Sequence, residues 1–105
     1  MEEKDLDLQP LEQEEIFQKL DHLPGWEFNH DKIIKTFEFP SFSAGIALLS
    51  KLAPFCDQID HHPDIHINYK KILFELTRFS VGSKVTDRDF TVANKIEELY
   101  KESLQ

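Results

Sequence analysis

Apolar positions along this chain fall into two periods, and each switch between them marks the boundary of an element. Ile16, Phe17 and Leu20 lie at helical spacing, with Glu12, Glu14 and Glu15 near the positive end of the helix dipole. Pro10 suits the first helical position, and Leu23-Pro24-Gly25 stops the run. Trp26 and Phe28 then alternate with Glu27, and Ile33, Lys35, Phe37 and Phe39 recur at period two. The intervening Asn29-His30-Asp31-Lys32 carries turn chemistry, so a β-hairpin with a longer loop is expected.

Pro40-Ser41 ends the strand, and Ser41 is placed to cap a helix. Phe42, Ile46, Leu49, Ala53, Cys56 and Ile59 then predict one apolar helical stripe, interrupted by Pro54, which is expected to kink it. Past Pro63, Ile65, Ile67 and Tyr69 alternate with His66 and Asn68, and Ile72, Phe74 and Leu76 alternate with Leu73 and Glu75. The close spacing of these two strands predicts antiparallel pairing. Ser80 to Val85 reads as a loop, and residues 1–9 as a loose lead-in. Thr86 with Asp89 resembles a capping box, Asp replacing the usual Glu or Gln. Val92, Ala93, Ile96, Leu99 and Tyr100 form the core stripe of a last helix.

The order helix, two strands, helix, two strands, helix predicts an α+β fold. Its simplest closed form is a four-stranded antiparallel sheet with three helices on one face. Trp26, Phe37, Phe74, Leu76, Ile96 and Leu99 are the expected core. With 105 residues, 40% of them hydrophobic, the chain suits one domain with a modest core.

Twenty acidic residues against 12 basic give a net charge of -8, which argues against direct nucleic-acid or anionic-membrane binding. A lone cysteine, Cys56, can form neither an internal disulfide nor a structural zinc site by itself. No apolar run approaches the roughly 20 residues needed to span a bilayer. The acidic start, Met1-Glu2-Glu3-Lys4-Asp5, fits neither a secretory signal nor a transit peptide, so a cytoplasmic location is expected.

Chemistry concentrates in one place. His61, His62 and His66 stand among Asp57, Asp60 and Asp64, where the long helix gives way to a strand. Adjacent histidines at such a boundary cannot both point into the core. Imidazole titrates near neutrality, so the pair can donate and accept protons under cellular conditions. Three readings stand together: a solvated His/Asp cap, a catalytic or substrate-binding pair, and a metal site. Pro63 weakens the metal reading, because it disfavours one continuous helix presenting both His62 and His66.

Asp57-x-x-x-His61-His62-Pro63, followed at a fixed distance by Tyr69, resembles the signature of the pterin-4a-carbinolamine dehydratases. Leu23-Pro24-Gly25-Trp26, Ile33-x-Lys35-x-Phe37-x-Phe39-x-x-Phe42 and Thr86-Asp87-Arg88-Asp89-Phe90 resemble that family elsewhere in the chain. The resemblance implies dehydration of 4a-hydroxytetrahydropterin to quinonoid dihydropterin, which recycles the pterin used by aromatic amino acid hydroxylases. It implies no metal and no organic cofactor. Catalysis would fall to His61 and His62, and substrate contacts to Asp57, Asp60, Pro63, Phe79, Arg88 and Asp89. It also implies a homodimer or homotetramer, with a pterin-dependent hydroxylase as a further partner.

One departure bears on the chemistry. The family's third histidine position holds Phe79, which can stack on a flat ring but cannot transfer a proton. Strand alternation is expected to turn Arg78 to the face opposite Phe79, and to leave Leu73 and Phe79 as contact residues. The alternative function is therefore a weakly catalytic or non-catalytic module of the same fold that stabilises a protein partner.

Overall fold

The computed structural model describes residues 9–79, 82 and 84–105. The expected lead-in before Gln9, and Ser80, Val81 and Ser83 of the expected loop, lie outside the described residues. The elements are α1 (Gln13–Leu20), β1 (Glu27–Asn29), β2 (Lys32–Glu38), α2 (Phe42–Ile59), β3 (Asp64–Asn68), β4 (Lys71–Leu76) and α3 (Asp87–Ser103). The strands form one antiparallel sheet in the order β1-β2-β4-β3. This is the α+β order the two periods predict.

Cross-strand register shows why one face of the sheet is apolar. Ile33 pairs with Leu76, Lys35 with Phe74 and Phe37 with Ile72. Their side chains therefore point to the same side. That side is covered: α2 and α3 pack on each other and on β4, while α1 packs on β1. The opposite face carries Ile34, Thr36, Leu73 and Glu75, none of which is buried. All six expected core residues are buried, with Phe74, Leu76 and Ile96 wholly inaccessible. Trp26 closes the core beside α3, its indole N–H donating to Glu97 Oε2 at 2.8 Å. Lys35 donates to the same oxygen and to the Pro24 carbonyl.

Local expectations change at three points. Pro10 does not open α1; Glu12 caps it, with Glu15 bonding back to the Glu12 N–H, and Pro10 bridges to Thr86 instead. The β1–β2 connection is not long. His30 and Asp31 alone form it, both at positive φ (51° and 62°), as a twist-matched two-residue turn requires. Pro54 lies inside α2, which runs from Phe42 to Ile59, with the proline exposed.

The third change concerns the buried face of α2. It is Gly45, Leu48, Leu52 and Cys56, rotated from the expected stripe and sharing only Cys56 with it. Gly45 decides this rotation. A Cβ there would come within 2.9 Å of Ile72 Cδ1, so the bare backbone settles onto β4. Phe42 and Ile46 consequently face outward, 49% and 37% exposed.

Candidate active site

The C-terminal end of α2 places both histidines. Asp60 stops the helix in the left-handed conformation (φ 53°), a region aspartate tolerates better than most residues. Its N–H donates to the Asp57 carbonyl at 3.3 Å, and the His61 N–H donates to the Cys56 carbonyl at 3.1 Å. These are the two bonds of a Schellman motif. The reversal tucks His61 beneath the helix end and leaves His62 outside.

His61 is 4% exposed and is held at both ring nitrogens. Nε2 lies against Asp89 Oδ1, and Nδ1 receives Arg78 Nη1 at 3.1 Å. A guanidinium only donates, so Nδ1 is an acceptor, and the ring proton sits on Nε2, donated to Asp89. Asp89 also accepts from the Thr86 N–H at 2.8 Å and the Thr86 hydroxyl at 3.3 Å. One inaccessible carboxylate thus caps α3 and orients the imidazole.

His62 is in a different environment. Its Nε2 lies 2.8 Å from Asp57 Oδ1, one turn earlier on α2, and both side chains are more than half exposed (54% and 75%). An imidazole paired with a carboxylate in contact with solvent can exchange protons with a ligand. Arg88 braces the helix end from α3, donating to the Ile59 carbonyl at 2.9 Å.

Asp60, His61, His62, Thr77, Arg78 and Phe79 line a cleft of about 280 Å³. Phe79 projects from its rim, 86% exposed. Of the residues expected at the site, the cleft brings together Asp60, His61, His62 and Phe79. Asp57 reaches it through His62, and Asp89 through His61. Pro63 lies away from it, in an apolar pocket of about 230 Å³ with Leu49, Leu52, Ala53, Cys56 and Ile65, whose wall His62 shares. A larger groove of about 720 Å³ runs between the start of α1 and the β1–β2 turn and holds none of these residues.

Arg78 corrects the sequence reading. It does not turn away from Phe79, because β4 ends at Leu76 and strand alternation ends with it. Its backbone instead pairs with Lys84, which turns the side chain towards His61. No local pattern marks this role; a cation beside an exposed aromatic reads equally well as a solvated one.

Cys56 takes no part. Burial and the neighbouring Asp57 charge push its thiol up to about 11, so it stays protonated at neutral pH. Among the described residues, no group of three or more His, Cys, Asp or Glu side chains is arranged to hold a metal ion. No helix among them is long and apolar enough to cross a membrane.

Residues 9–99 match the family model described as Pterin 4 alpha carbinolamine dehydratase. A Sulfolobus acidocaldarius protein with the provisional name pterin-4-alpha-carbinolamine dehydratase is 36% identical over 89 residues, 85% of this chain and 97% of its own. A Saccharolobus islandicus protein of the same provisional name is 43% identical over 79 residues, 73% of this chain and 79% of its own. Among solved structures, a transcriptional coactivator/pterin dehydratase from Brucella melitensis aligns at TM-score 0.82 and 26% identity, covering 87% of this chain and 98% of that one. A pterin dehydratase-like RuBisCO assembly factor of the alpha-carboxysome shares the fold at TM-score 0.60 and 21% identity, over 74% and 92% of the two chains.

Proposed function

The chain belongs to the pterin 4 alpha carbinolamine dehydratase family, and from that premise we propose that its His61–His62 cleft dehydrates a 4a-hydroxytetrahydropterin to the quinonoid dihydropterin. The observation that carries this reading is the exposed His62–Asp57 pair at the mouth of a cleft that His61 and Phe79 also line. The reaction removes water. One proton is added to the departing hydroxyl and one leaves a ring nitrogen, so no net acid or base is consumed. His62 is the imidazole in contact with solvent for one of these transfers. His61, oriented by Asp89, or a water molecule serves the other. Phe79 offers a flat face on which a pterin ring stacks, Asp60 lines the wall, and Arg88 holds the end of α2 in place through the Ile59 carbonyl. No metal and no organic cofactor enters this scheme. The product returns to a cytoplasmic pterin-dependent hydroxylase.

The test is a dehydration assay on freshly generated 4a-hydroxytetrahydropterin. The natural protein is expected to act measurably above buffer. His62→Ala is expected to lower the rate by about 10²–10⁴-fold, and Phe79→His to match or raise it.

A second reading, a module that stabilises a protein partner, is favoured by Phe79, which presents an exposed aromatic face and no transferable proton. The paired name of the Brucella neighbour, coactivator and dehydratase, is compatible with either role. A natural protein no faster than buffer, with Phe79→His equally inert, puts this second reading ahead.

Self-association belongs to the proposal under both readings. β3 is an edge strand, Ile65 and Ile67 on it are 39% and 44% exposed, and Ile65 shares an apolar pocket with Leu49 and Ala53 of α2. A second copy that pairs antiparallel with the same edge covers both surfaces by two-fold symmetry.

A further inference from the structure

In the resting cleft, one guanidinium stands between His61 and any ligand. Arg78 Nη1 donates to His61 Nδ1 at 3.1 Å and to the Asp60 carbonyl at 2.9 Å, clipping the imidazole to the end of α2. Nε2 is turned away onto Asp89. Nδ1 is therefore the only ring nitrogen directed towards the cleft, and Arg78, which lines the same cleft, occupies it.

We infer that Arg78 is a positioning residue that withholds His61 from proton transfer, leaving His62 as the freely reacting imidazole of the site. This inference rests on the acid/base reading of the cleft. On that reading it limits the rate separately from Phe79, because one of the two histidines is capped. Displacing the guanidinium returns Nδ1 to the cleft with Asp89 already in place behind the ring. A carboxylate behind one imidazole nitrogen with the other facing the ligand is a recurrent general-base geometry.

The first measurement uses the natural protein and long-range ¹⁵N–¹H spectra of its histidine rings. His61 is expected to carry its proton on Nε2 and none on Nδ1. A proton on Nδ1 of His61 overturns the inference, whatever any variant does.

The second measurement is acylation by diethyl pyrocarbonate, quantified residue by residue by mass spectrometry, on the natural protein and on Arg78→Ala with matching circular dichroism. His62 is expected to react alike in both. His61 is expected to react about 10–100-fold faster in the variant, the equivalent of one lost charge-assisted hydrogen bond. Equal His61 labelling in the two folded proteins also overturns the inference.

The dehydration assay then separates this inference from the reading it rests on. Arg78→Ala is expected to raise the rate, and His61→Gln added to it to abolish the gain. If no variant dehydrates the pterin while the labelling and the spectra come out as expected, the dehydratase reading falls and the role of Arg78 in capping His61 stands.

Discussion

Asp89 shows how much a single side chain can hold together. Its carboxylate caps α3 through Thr86 and anchors His61, and no part of it reaches solvent. Thr86→Ala removes the hydroxyl's share of the cap and is expected to cost about 0.5–2 kcal/mol, read from denaturant midpoints. Asp89→Ala also strands the buried Thr86 N–H and the His61 ring proton. Its cost is expected to exceed that of Thr86→Ala by roughly 1–3 kcal/mol. Equal costs for the two substitutions would mean that the His61 contact contributes nothing to stability. Cys56 gives a second test at this scale. With the thiol 2% exposed and held up near 11, iodoacetamide at pH 8 is expected to label it only after unfolding by urea.

Turns and helix ends carry the element-scale predictions. His30 and Asp31 both adopt positive φ, where Asn-Gly is the favoured pair. The double substitution His30→Asn, Asp31→Gly is expected to raise stability by about 0.5–1 kcal/mol, visible as a higher thermal midpoint. A lower midpoint would show that the exposed Asp31–Lys84 contact outweighs the relieved backbone strain. In α2, the apolar stripe predicted the helix correctly but its orientation wrongly. Apolar residues occupy several of its faces, so periodicity alone leaves the buried side undetermined. Packing chooses the side whose glycine admits β4.

Charge and assembly belong to the whole molecule. On the open face of the sheet, the Lys32 ammonium bonds Glu75 at 3.0 Å and holds that carboxyl below the usual carboxylate range, with His66 adding to the effect. The same bond holds Lys32 above its ordinary value. A depressed carboxyl contributes stability above its unfolded value and loses it as pH falls through the folded one; the raised lysine loses its contribution as pH rises. The thermal midpoint of the natural protein is therefore expected to fall more steeply than that of Glu75→Gln below about pH 4.5. Parallel curves would remove the ion pair from the account. For assembly, sedimentation is expected to show a species heavier than the 12.3 kDa chain at micromolar concentration, and Ile67→Lys on the β3 edge to return it to monomer. A natural protein that sediments as monomer counts against self-association.

Alternation in β2 and β4 and the stripe of α3 were enough to identify Phe37, Phe74, Leu76, Ile96 and Leu99 as core, because each of these elements buries one face, and Trp26 followed from its alternation with Glu27 just before β1. The doublet His61-His62 with Asp57 and Asp60 was legible too, because those residues are neighbours on one helix end, and local geometry decides how they meet. The division of labour between the two imidazoles was not. It depends on Asp89, 28 positions away in the chain, and on Arg78, 17 positions away, both brought to His61 by the packing of α3 and the segment after β4. Sequence determines which elements form and where ionisable groups cluster, since both follow from near neighbours. Which imidazole is buried and capped, and which meets a ligand, is decided only when distant segments close around the ring and occupy its nitrogens.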